Sequence, residues 1–181
     1  MLFLSLLLSH SYFALAAFVS VTIHESGHLI AAKILNIDLT ECKIDIFGAA
    51  LSPALCDFSY KDEIFLCICG PAANFFTSVV CVPLYHFTDC DFLLYFILSS
   101  FSLAILNLLP VKDFDGGRIF NSLLCLISDT YKAEQITLSV SFVVILLLWI
   151  VSVYLLLIAR SNLSLFVFSI SLFVKIFVKE N

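Results

Sequence analysis

The chemistry of this chain begins at His24-Glu25-Ser26-Gly27-His28, two histidines four residues apart with a carboxylate directly after the first. On a helix, positions four apart share one face, so both imidazoles can offer a nitrogen to one metal ion. Glu25 stands beside them to take a proton from water, and the H-E-x-x-H spacing is that of zinc hydrolases. In a soluble helix the same pattern arises by chance on a wet face. Here it interrupts a run apolar enough to cross a bilayer, where an ionised side chain costs about 2.5–3.5 kcal/mol at the centre. A polar cluster without metal is therefore the weaker explanation.

Catalytic zinc sites usually take three protein ligands and keep a position open, so two histidines leave the set incomplete. The candidates for the third lie in Asn107-Leu108-Leu109-Pro110-Val111-Lys112-Asp113-Phe114-Asp115-Gly116-Gly117-Arg118. Pro110 interrupts the end of an apolar run and two glycines let the chain turn tightly, so a carboxylate here can swing toward another helix. Asp115 is favoured over Asp113, though spacing separates the two only modestly.

The elements that must position these groups are membrane helices. Of 181 residues, 62% are hydrophobic and 13% charged, and 19 are Phe, which suits lipid-facing surface. Apolar runs of about twenty residues recur, the length that crosses a bilayer. They predict an all-α polytopic membrane protein of about five to six transmembrane helices, with spans at 12–35, 62–84, 91–110, 136–158 and 162–178 and a helical extension over 118–128. Residues 1–11 read as a truncated span rather than a removable signal, since they lack a basic start and a small-residue cleavage site.

Between the first two spans, residues 43–47 alternate at period two ahead of Gly48 and Pro53. This pattern fits a short interfacial β-hairpin or an ordinary loop. An open strand edge is forbidden against lipid, so a hairpin over 43–51 would sit at the interface or line a cavity and could accept an extended peptide. The net charge of −5 has no concentrated acidic tail behind it and argues against a nucleic-acid partner. The seven cysteines are odd in number and scattered, several in apolar runs, and read as packing residues.

If each segment crosses once, Lys33, Lys43, Lys61, Lys112, Arg118, Lys132, Lys175 and Lys179 fall on one side and Arg160 on the other. The positive-inside rule makes the first side cytoplasmic and brings the histidines near the cytoplasmic leaflet.

H-E-S-G-H in a membrane helix, then Gly70-Pro71-Ala72-Ala73-Asn74, then Asn107-Leu108-Leu109-Pro110 with Asp115-Gly116-Gly117 five residues after its proline, resembles the site-2 protease family of intramembrane zinc metalloproteases. The three motifs stand in the family's order and cover roughly residues 12–128. The resemblance implies one zinc per chain held by His24, His28 and Asp115, with Glu25 as general base. Asn107 and Asn74 match positions that hold the substrate backbone or assist at the oxyanion.

The small size looks most like the sporulation-type branch, whose members cleave a membrane-associated sigma-factor precursor. Residues 1–181 then form a single metalloprotease domain, with core motifs in 12–128, accessory spans in 136–178, and no CBS or PDZ domain. The family's span before the H-E-x-x-H helix is expected to be reduced or missing. The implied partners are a membrane-associated protein substrate, membrane regulatory proteins and the lipid bilayer. The implied setting is a bacterial cytoplasmic membrane with the site toward the cytoplasm. The competing class is an inactive relative or a metal carrier or scaffold, which has no use for a glutamate beside the first histidine.

Overall fold

The computed structural model describes residues 2–37, 59–159 and 170–172, with side chains from 12 onward in the first stretch and up to 158 in the second. Every regular element among the described residues is an α-helix: α1 (Leu2–Ile34), α2 (Tyr60–Thr88), α3 (Asp91–Asn107), α4 (Asp115–Cys125) and α5 (Thr130–Ala159). The hairpin expected over 43–51 and most of the span expected over 162–178 lie outside the described residues.

Among the described residues, three stretches are long and apolar enough to cross a membrane, Tyr12–Ile34, Tyr60–Thr88 and Thr130–Ile158, and α3 is a shorter apolar helix of 17 residues. The boundaries follow local chemistry. At the start of α2, Ser59 caps the helix through the Lys61 amide and the Asp62 carboxylate returns to the Ser59 amide at 3.1 Å, a reciprocal capping box. Pro71 and Pro83 lie inside α2, as membrane helices tolerate when neighbouring helices surround the freed carbonyls.

The sequence predicts α3 to continue to 110, but it ends at Asn107. The amides of Leu108 and Leu109 tighten into three-residue turns on Ile105 and Leu106, and the residue before Pro110 is pushed out of the helical region. The helical extension expected from 118 begins instead at Asp115, so this carboxylate stands in the first turn of α4. An anion is favoured there by the exposed amides of a helix N-terminus. Residues 2–11, expected to form a truncated span, continue α1 as one unbroken helix.

Helices α1, α2 and α3 pack against one another, α4 packs on α2, and α5 packs on α4. Lipid tails are as apolar as leucine, so helices in a bilayer associate through close packing of small residues. The buried face of α1 fits this: Ala16, Ser20, Ala31 and Ala32 are covered while Phe18, Ile30 and Ile34 face outward. Ser20 Oγ and Ser100 Oγ meet at 2.9 Å and tie α1 to α3. At the α1–α2 crossing a Cβ on Gly27 would strike the Cys69 carbonyl, and one on Gly70 would strike the His28 ring.

The segment between α3 and α4 is held from α5. Val111 is buried with Ile145 and Leu172, and Ser141 Oγ accepts from the Lys112 amide at 2.8 Å while lying 3.3 Å from the Pro110 carbonyl. A Cβ on Gly117 would collide with the Val111 carbonyl of the same segment. In an open helix Gly→Ala stabilises by about 1 kcal/mol. Here Gly117→Ala is expected to destabilise by about 1–3 kcal/mol through overpacking, and thermal unfolding in detergent measures it.

Candidate metal centre

His24 and His28 stand one turn apart on α1, and Asp115 reaches them from the first turn of α4. His24 Nε2 and His28 Nε2 are 3.2 Å apart, and Asp115 Oδ2 lies 3.1 Å from the first and 3.3 Å from the second. Four-coordinate zinc with ligands at about 2.0–2.1 Å places neighbouring donors about 3.3–3.4 Å apart. The three separations thus match three corners of a tetrahedron and leave its fourth corner for water or substrate. Of the two aspartates that the sequence leaves as rivals, Asp115 and not Asp113 joins the histidines in the metal-competent group among the described residues.

Proton placement makes the same point. His28 Nδ1 is 2.9 Å from the Leu66 carbonyl, which can only accept, so Nδ1 carries the hydrogen and Nε2 of the neutral ring presents a lone pair. His24 Nδ1 lies 3.3 Å from the side-chain amide of Asn74, whose Oδ1 is otherwise a buried acceptor without a donor. Amide oxygen and nitrogen exchange places without changing shape. With the oxygen toward His24, the orphaned acceptor gains a donor and His24 Nε2 also presents a lone pair.

With both rings neutral and their Nδ1 atoms protonated, three acceptors converge on one point. Asp115 Oδ2 lies within ion-pair distance of both imidazoles yet is buried without a directed hydrogen bond. Such a set is costly without a cation and complementary to one.

One face of α2 serves this arrangement. Leu66 supplies the carbonyl for His28, Gly70 leaves room for the same ring, and Asn74, fully buried, stands on His24. These residues are spaced four apart along the helix. Pairing of ligand imidazoles with such outer partners fixes the tautomer and aims the ring.

Glu25 follows His24 on α1 and is exposed, uncovered by the protein's own helices. Asn107, at the end of α3, is half-buried and donates from Nδ2 to the Leu103 carbonyl at 3.1 Å. Asn74, expected from the sequence at the substrate, is placed against the His24 ring. Its position four residues after Gly70 showed a shared face, but not which neighbour that face would meet.

Residues 89–151 match the family model for Peptidase family M50. Over 113 residues the chain is 32% identical to a zinc metalloprotease of Methanocaldococcus jannaschii, a match covering 59% of this chain and 32% of that protein. The chain therefore spans about a third of that relative's length. The solved structure of the site-2 protease from Methanocaldococcus jannaschii has a TM-score of 0.66 to this chain at 23% identity, covering 92% of this chain and 76% of that one. At this level the two share a fold.

Zinc content of the purified protein tests the donor set. His24→Ala, His28→Ala and Asp115→Ala are each expected to abolish stoichiometric zinc, while Asp113→Ala retains it. Asn74→Leu is expected to weaken zinc affinity about 10–100-fold, the usual cost of removing an outer partner of a metal ligand.

Proposed function

We propose that the chain is an intramembrane zinc metalloprotease of the site-2 protease type, carrying one zinc on His24, His28 and Asp115. The observation that supports this best is the convergence of two imidazole nitrogens and one carboxylate oxygen within 3.1–3.3 Å in a helical membrane fold. The substrate is a membrane-associated protein cut in or near its membrane segment. A sigma-factor precursor of the sporulation type is the finer reading, drawn from the resemblance of the span layout to that branch. The setting that follows is a bacterial cytoplasmic membrane with the site toward the cytoplasm, as the lysine distribution favours.

When bound, zinc supplies Lewis acidity, which acidifies a coordinated water and polarises the scissile carbonyl. The residues of the chain do the rest. His24 and His28 are held as neutral ligands by partners on α2. Glu25 accepts the proton of the attacking water and returns it to the amide nitrogen of the leaving strand, so that one C–N bond breaks as one C–O bond forms. Asn107, at the α3 terminus, is assigned to the substrate backbone. A transmembrane helix conceals its own amides, so the substrate must unwind locally before attack.

A metal carrier would also use intramembrane His and Asp but has no role for Glu25. In proteoliposomes with a single-span substrate, Glu25→Gln is expected to keep one zinc per chain and to lose cleavage by about 10²–10⁴-fold, the range for a general base. Zinc flux through the wild type without proteolysis would favour the carrier.

A further inference from the structure

Away from the donor triangle, a second buried ionic cluster joins α2 to α4. Glu63, in the first turn of α2, has a side chain only 9% exposed, and Arg118 on α4 has one 16% exposed. Arg118 approaches Glu63 Oε1 through Nη2 at 3.3 Å and Nε at 3.4 Å. The other oxygen, Oε2, accepts from Ser122 Oγ at 2.6 Å. Both oxygens of one carboxylate are thus committed to a single helix.

That helix is the one that carries the metal ligand. Asp115, Arg118 and Ser122 follow at i, i+3 and i+7 and share one face of α4. Helix α4 has 11 residues and its N-cap, Phe114, makes no side-chain capping bond. Glu63 also lies one turn from Leu66, whose carbonyl fixes His28. One turn of α2 therefore holds both halves of the donor set, His28 directly and Asp115 through α4.

Adhesion alone does not call for charge at this contact. Buried ion pairs can often be replaced by apolar side chains of similar volume at no loss of stability, whereas a directed charge pair fixes register. We propose that Glu63 is a positioning residue for the metal site, setting Asp115 against the histidines through Arg118 and Ser122. The proposal rests on the zinc reading above.

The experiment uses the full chain in detergent and compares zinc affinity by chelator competition, the ligand-field spectrum of the cobalt(II)-loaded protein, and thermal unfolding of the metal-free protein. The variants are Glu63→Gln, Ser122→Ala, and the volume-matched pair Glu63→Leu with Arg118→Met. Glu134→Gln, which removes an exposed ion pair with Lys112, is the control. Positioning predicts about tenfold or greater loss of zinc affinity and a shifted cobalt spectrum in Glu63→Gln and the apolar pair. The apolar pair is expected to unfold at or above the wild-type temperature, and the control to keep wild-type affinity. Ser122→Ala deletes one hydroxyl, keeps the test valid should the bulkier changes fail to fold, and is expected to weaken zinc measurably. Wild-type affinity and spectrum in the folded Glu63 and Ser122 variants would make the cluster a simple brace and overturn the proposal while leaving the protease reading intact. A wild type that holds no zinc would overturn both.

Discussion

A neutral imidazole carries one hydrogen on two nitrogens, and where water is scarce that hydrogen must be given a place. This constraint organises the whole molecule. If His24 and His28 are to aim two lone pairs at one point, their remaining nitrogens must each meet an acceptor supplied by protein. Helix α2 supplies both, through the Leu66 carbonyl and, with its amide oxygen turned toward the ring, Asn74. The helix must then lie against α1 closely enough for a backbone carbonyl to reach a ring, which explains the missing side chains at Gly27 and Gly70.

The third donor is delivered by a different route. Asp115 stands at the head of a short helix fixed on three sides: by Glu63 of α2, by the tight approach of Gly116 and Gly117 to the preceding segment, and by α5 through Ser141. Helix α5 contributes no donor to the triangle. Its contribution is to keep the Pro110–Phe114 segment from relaxing, by burying Val111 and by binding a backbone amide that no helix claims.

Much of this was legible in the sequence, for identifiable reasons. The apolar runs reveal the long helices because span length is set by the bilayer, and the i, i+4 histidines reveal a shared face because helical geometry is local. Spacing favoured Asp115 over Asp113 only modestly, since both precede the glycines, and the onset of α4 is what brings Asp115 beside the histidines. The end of α3 was overestimated because hydropathy does not register the turn that Pro110 enforces on Leu108 and Leu109. Arg118 reads in the sequence as one of the charges on the cytoplasmic side, whereas its half-buried guanidinium lies on Glu63, 55 positions earlier in the chain. A pair so far apart leaves no periodic trace.

The donor set is divided between α1 and α4, two helices separated in the chain by α2 and α3, with consequences for the order in which it can assemble. When α1 and α2 enter the membrane, the two histidines can already be oriented, yet they form only an incomplete coordination sphere. Asp115 follows after α3, and Ser122 completes the brace on Glu63 a further two turns later. A donor set built in this order stays incomplete until α4 has followed α1, α2 and α3 into place.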